Sequence, residues 1–244
     1  MNFDELKLNK QLLTAIADLG YKKPTPIQEQ IIPKILDGHD VLGIAPTGTG
    51  KTAAFVLPIL RKLNYAQGDH PRALIFVPTR ELAVQVYENA VKYAVNTDIR
   101  CCRLIGGMGL QAQLKEVQKG VDLIVATPGR FMDIYLRGEI HLKKVQTLVL
   151  DEADKMMDMG FLPQLNSILE IIPNKRQNLL FSATFHPKVE ELIYEFYFRD
   201  LHLSETSNQN DLYKDNIKIK EDLKIKKKDS RINEAYCKEY KDSI

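Results

Sequence analysis

The chain has 244 residues, 44% of them hydrophobic and 27% charged, with 34 Lys and Arg against 32 Asp and Glu. That composition is ordinary for a globular protein of one large domain or two small ones. The net charge of +2 excludes nucleic-acid binding through bulk charge, so any basic surface must be local. Three cysteines, Cys101, Cys102 and Cys237, form no CxxC pair, which argues against a zinc site or a disulfide framework and for a reducing compartment. Asp4 and Glu5 stand where a secretory signal would carry basic residues. No run reaches the roughly eighteen apolar residues of a membrane span, and a cytoplasmic location is expected.

In chain order, Leu12, Leu13, Ile16 and Leu19 share one face of a first predicted helix, stopped by Gly20. Thr25-Pro26 opens a second, since Thr caps well and Pro suits the first helical position. Short apolar runs rich in β-branched residues follow: 41–45, 73–77, 101–105, 123–126, 147–150 and 178–181. Helically spaced segments, such as 53–63, 82–95 and 162–172, separate most of them. Continuous apolar strands alternating with helices predict an α/β fold: a doubly wound, mostly parallel sheet covered on both faces. Ligands of such sheets bind beyond the carboxyl ends of the strands.

Residues 205–244 differ, with ten Lys or Arg, nine Asp or Glu and neither Gly nor Pro. They read as a charged tail or as the start of a second domain.

The first run leads into Ala45-Pro46-Thr47-Gly48-Thr49-Gly50-Lys51-Thr52 and then a helix. Glycines let successive main-chain N–H groups turn inward at an anion, and the helix N-terminus adds partial positive charge. Lys51 supplies a full charge to the outer phosphates of a nucleoside triphosphate, and Thr52 a hydroxyl to Mg²⁺. The generic phosphate-loop motif begins with Gly, where this chain has Ala45.

The run 147–150 ends in Asp151-Glu152-Ala153-Asp154. Acidic residues here also suit a plain helix start. Paired with Lys51 and Thr52, they read as a catalytic element, with Asp151 holding Mg²⁺ and Glu152 accepting the proton of the attacking water.

With these residues in view, the sequence resembles the DEAD-box family of superfamily 2 RNA helicases, whose name is spelled by residues 151–154. Residues 20–28, with Phe3 upstream, resemble the Q motif, and 45–52 the family's phosphate loop, which itself begins with Ala. Pro78-Thr79-Arg80-Glu81-Leu82 resembles motif Ia, Gly106-Gly107 the GG element, Thr127-Pro128-Gly129-Arg130 motif Ib, and Ser182-Ala183-Thr184 motif III. The resemblance covers roughly 1–204 and implies a RecA-like ATP-binding domain.

The resemblance implies ATP and Mg²⁺ as ligands, with Gln28 on the adenine edge, Phe3 stacked on the ring and Tyr21 beside it. It implies RNA along Pro78, Thr79, Arg80, Gly106, Gly107, Thr127, Pro128, Gly129 and Arg130, gripped through its backbone and therefore without sequence preference. Ser182 and Thr184 would couple the two sites. Plainer alternatives are a core Phe3, internal salt bridges for Arg80 and Arg130, and a simple turn at Gly106-Gly107.

A motor of this family pairs two RecA-like domains around ATP, and no counterpart of the second is seen in these 244 residues. The expectation is a monomer without membrane attachment that binds ATP weakly and turns it over slowly by itself, because an arginine finger supplies about 10³–10⁵ in rate. Joined to a second RecA-like domain, it would use hydrolysis to separate RNA strands locally. The alternative is a non-catalytic, nucleotide- or partner-binding regulatory fragment.

Overall fold

A computed structural model describes residues 1–184, then Pro187, Val189, Leu192, Ile193 and Phe196, and the backbone of Ile232–Tyr236. Seven strands form one parallel sheet: β1 Asp40–Ile44, β2 Ala73–Phe76, β3 Cys101–Leu104, β4 Leu123–Ala126, β5 Thr147–Leu150, β6 Gln177–Ser182 and β7 Ile232–Tyr236. Their order across the sheet is β3-β4-β2-β5-β6-β1-β7. The six strands expected from the sequence are all present, within one residue or so of the apolar runs. The domain boundary at 204, Cys237 and most of the tail lie outside the described residues.

Around the sheet pack a 3-10 turn at Phe3–Leu6 and the helices α1 Lys10–Asp18, α2 Pro26–Leu36, α3 Lys51–Leu63, α4 Arg80–Tyr93, α5 Leu110–Gln118, α6 Pro128–Tyr135, α7 Ala153–Asp158 and α8 Leu162–Ile171. Strands β1 to β6 feed alternate side chains into two separate cores, as the two-residue period of a strand requires. Val41, Ile75, Val125, Val149 and Leu179 pack with α1 to α4. Leu42, Leu74, Ile124, Leu148 and Leu180 pack with α6 to α8 on the other face. All four residues of β2, β4 and β5 are buried, which is why these strands read as unbroken apolar runs. Each fully buried Leu, Ile or Phe contributes about 1.5–3 kcal/mol, so the two-faced core dominates stability. Among the described residues, no helix is long and apolar enough to cross a membrane.

A buried charge cluster pins the amino ends of three neighbouring strands. Asp122, just before β4, is fully buried and pairs with Arg72 before β2 at 2.9 Å and with Arg100 before β3 at 3.0 Å. It also accepts main-chain hydrogen bonds from Gln67 and Arg100, each at 3.0 Å. Burial pushes this carboxyl up, but hydrogen bonds from Arg100, Gln67 and Arg72 outweigh it and hold the group below its ordinary value.

Candidate functional site

The sheet lines up the sequence motifs in a spatial order that differs from their chain order. Reading the carboxyl ends from β3 to β1 gives Gly106-Gly107, Thr127–Arg130, Pro78–Arg80, Asp151-Glu152, Ser182–Thr184 and then the 45–52 loop. The residues assigned to nucleotide therefore occupy one half of the edge, and those assigned to RNA the other. The acidic strand end lies at their junction.

β1 and β5 flank β6, so the phosphate loop and the acidic cluster spring from strands about 10 Å apart, at roughly 4.8 Å per strand. Lys51 opens α3 and is buried, with 7% of its surface exposed. Its ammonium donates to Ala45 O at 2.5 Å and Pro46 O at 3.0 Å, which folds the loop around it. Burial lowers the Lys51 pKa and outweighs the opposing attraction of Asp151, Glu152 and Asp154. Thr49 Oγ1 donates to Pro46 O at 2.9 Å, closing the loop, while Thr47 and Gly48 stand exposed and Thr52 lies half-buried in the first turn of α3.

Asp151 is 3% exposed, and its Oδ1 accepts from Glu152 N at 2.9 Å. Burial pushes its carboxyl up from 3.8 to about 6, against the pull of Lys51. A buried carboxylate raised in this way fits a metal-binding role, because a divalent cation would restore its ionised form. The Thr52 hydroxyl, at the other wall, is the matching hard oxygen donor.

Glu152 adopts the left-handed conformation, φ 53° and ψ 49°, at the N-cap of α7. Such geometry in a non-glycine residue costs about 1–3 kcal/mol. Its Oε2 pairs with Lys155 at 2.9 Å.

Asp154 was not singled out from sequence, where it reads as an acid in a helix first turn. In the structure it ties β5 to β6. Its Oδ2 accepts from Ala183 N at 3.2 Å, Thr184 N at 3.0 Å and Thr184 Oγ1 at 3.0 Å. Ser182, fully buried, donates to Thr184 O at 2.8 Å.

Gln28 is 1% exposed on α2 and braces the phosphate loop. Its Nε2 donates to Gly50 O at 3.1 Å, and its Oε1 accepts from Thr25 N at 3.0 Å. Gly50 has φ +92°, and a Cβ there would lie 2.6 Å from Gln28 Nε2, so only glycine fits. Phe3 is only 6% exposed and meets the Tyr21 ring edge-on at 6.2 Å. Tyr21, 37% exposed, shares a 2.9 Å hydroxyl contact with buried Tyr93 of α4. Phe3 belongs to the core, and stacking on a base would need its turn to shift.

At the other half of the edge, Pro78 is buried, Thr79 caps α4 by accepting from Leu82 N at 3.2 Å, and Arg80 is exposed. Arg80 makes no ion pair among the described residues. Thr127 and Pro128 open α6, so two helix N-termini face the same side as Arg80 and Arg130, an arrangement suited to phosphates. Gly129 is half-buried in that first turn. Arg130 does make an internal contact, donating to Met108 O at 3.1 Å with Asp133 at 3.7 Å. Asp133 is 65% exposed, so that pair is weak and open to competition.

Gln113, buried on α5, went unnoticed because a single Gln in a helix carries no sequence signal. It accepts from Ile105 N at 2.9 Å and donates to Ile105 O at 3.1 Å and Met108 O at 3.3 Å, clamping the loop that holds Gly106-Gly107. Beside the acidic loop, Met156 and Met157 are buried and Met159 is exposed. Cys101 and Cys102 are free thiols facing opposite cores, each pushed up to about 12 by burial.

The family model described as DEAD/DEAH box helicase matches residues 25–192. A protein named ATP-dependent RNA helicase drs1 from Neurospora crassa is 46% identical over 196 residues, 79% of this chain and 24% of that protein. Its namesake from Schizosaccharomyces pombe is 44% identical over 195 residues, 79% of this chain and 26% of that protein. The chain thus spans about a quarter of the length of these curated relatives. The crystal structure of a DEAD box protein from the hyperthermophile Methanococcus jannaschii is similar at a TM-score of 0.76 and 36% identity, covering 80% of this chain and 53% of that one. A family match over most of the chain, joined to the same fold in a solved member, makes this chain a member of the DEAD/DEAH box helicase family.

Proposed function

We propose that the chain is the RecA-like domain of an ATP-dependent RNA helicase that binds Mg-ATP at the ends of β1, β6 and β5 and an RNA backbone at the ends of β2, β4 and β3. The observation that carries this reading is the placement of two buried ionisable groups, Lys51 after β1 and Asp151 after β5, at the same end of one parallel sheet with only β6 between their strands, where each acts on the titration of the other. Neither group is comfortable there without a ligand.

Lys51 would exchange Ala45 O and Pro46 O for the outer phosphates, and the main-chain N–H groups of 47–52 would surround them. Asp151 and Thr52 would hold Mg²⁺, which when bound supplies Lewis-acid polarisation of the terminal phosphate. Glu152 would accept the proton of the attacking water, and must release Lys155 or share it. Gln28 has an amide hydrogen left for the adenine edge, and its bond to Gly50 ties base recognition to the phosphate loop. On the RNA side, Thr79, Arg80, Thr127 and Arg130 would grip phosphates without reading bases. Asp154 and Thr184 would transmit the state of one half to the other.

This RecA-like domain would supply one wall of the site and a second such domain the opposing wall, so turnover by this wall alone is expected to be slow. The test is RNA-stimulated phosphate release with a second RecA-like domain added in trans. Turnover that rises with both RNA and that domain, and fails in Glu152→Gln, is expected. Equal turnover by Glu152→Gln would remove Glu152 from the base role.

A further inference from the structure

Gly106-Gly107 reads, by resemblance, as a place where RNA approaches the protein backbone. In the structure the Arg80 side chain lies against both glycines. A Cβ on Gly106 would lie 2.9 Å from Arg80 Nη2 and 3.0 Å from its Nε, and one on Gly107 would lie 2.5 Å from Arg80 Nη1. Nonbonded contacts this short do not occur, so the guanidinium lies in a hollow that only two glycines leave open.

The floor of that hollow is rigid. Gln113 satisfies Ile105 N and O from below, and Gln113 and Arg130 both donate to Met108 O on its far side. Arg80 opens α4, and among the described residues its side chain makes no ion pair. A long exposed side chain without an ion pair otherwise samples many rotamers, and fixing them on binding costs affinity.

We propose that Gly106-Gly107 acts as a seat that pre-orients the Arg80 guanidinium toward an RNA phosphate, and that Gln113 is the positioning residue that holds this seat in place. This rests on the RNA-binding reading of Arg80 given above.

Gly106→Ala separates the possibilities, because Gly106 lacks the positive φ of Gly107 and the group its new Cβ meets is the far end of a flexible side chain. The variant should fold with an unchanged melting temperature while displacing Arg80. The readout is fluorescence anisotropy of a labelled oligouridylate titrated with the chain at several salt concentrations, for wild type, Arg80→Ala, Gly106→Ala and the double variant. Arg80→Ala is expected to weaken binding about tenfold and to flatten the salt dependence by about one phosphate contact. Gly106→Ala should do nearly the same, and the double variant should be no worse than Arg80→Ala alone. Gln113→Leu should lower affinity in wild type but add nothing to Arg80→Ala. If Arg80→Ala weakens binding while Gly106→Ala is silent, or if their effects multiply, the seat is wrong and the RNA-binding role of Arg80 stands. If Arg80→Ala leaves affinity and salt slope unchanged, the RNA-binding role of Arg80 itself fails, and the seat with it.

Discussion

Thr184 gives Asp154 two hydrogen bonds, one from its backbone N–H and one from its hydroxyl, each 3.0 Å long. One carboxylate oxygen thereby joins the acidic end of β5 to the end of β6. Thr184→Val removes the hydroxyl bond and keeps the shape. At this exposed position the stability cost should be about 0.5–1 kcal/mol, seen as a small fall in melting temperature. ATP affinity should be unchanged. The fold-stimulation of phosphate release by RNA, measured with a second RecA-like domain present, should drop severalfold. Unchanged stimulation would show that this bond does not link the two halves of the edge.

Lys51→Met should separate binding from stability. The buried ammonium is held by two loop carbonyls and carries a desolvation cost. An apolar side chain of similar length is expected to leave the unfolding free energy within about 1 kcal/mol of wild type or slightly above it. Titration with a fluorescent ATP analogue should show loss of binding by two orders of magnitude or more, on the scale of a desolvated charge–phosphate contact. A variant that binds ATP normally would remove Lys51 from the site.

Asp151 sets a pH dependence in the nucleotide-free, metal-free chain. Its folded carboxyl sits near 6, above the ordinary 3.8, so the folded state holds this proton more tightly than the unfolded state. Stability from this group is therefore fully present below about pH 4 and is lost as pH rises through 6. Asp151→Asn should stabilise the chain at pH 7–8 by on the order of 1–3 kcal/mol, with the difference shrinking toward zero near pH 4. Thermal melts of both proteins across this range check it. A gap that widens toward low pH would reverse the sign and refute the assignment.

Asp122 should behave in the opposite way. Its carboxyl is held below the ordinary value, so its contribution is present above about pH 4 and disappears as pH falls further. Asp122→Ala leaves two arginines without their buried partner and should cost about 3–5 kcal/mol at neutral pH. That corresponds to a melting temperature lower by on the order of 10 °C. Below about pH 3 the gap from wild type should narrow. A neutral-pH loss under 1 kcal/mol would mean that the cluster is not structural.

Much of this arrangement was legible in the sequence, for physical reasons. Strands buried on both faces spell themselves as runs such as Leu123–Ala126, and the loop and acid that end two of them are fixed by the chemistry of phosphate and metal. Helix starts were less legible. α3 begins at Lys51 and α4 at Arg80, each earlier than the first apolar residue of its repeat, because the functional residues themselves form the first turn. The packing of Phe3 against Tyr21 depends on a ring contact between segments well apart in the chain. Asp154 and Gln113 could not be weighed, since each acts through backbone groups that only the folded sheet brings near. β7 was not foreseen, because its apolar residues lie scattered among charges.

The most direct measurement is a crystal structure of the chain with Mg²⁺ and a non-hydrolysable ATP analogue. Lys51 Nζ is predicted to have left Ala45 O and Pro46 O for the outer phosphates, with the metal between Thr52 Oγ1 and the Asp151 carboxylate and adenine beside Gln28. Nucleotide bound elsewhere, or Lys51 still on its loop carbonyls with Asp151 remote from the metal, would contradict it.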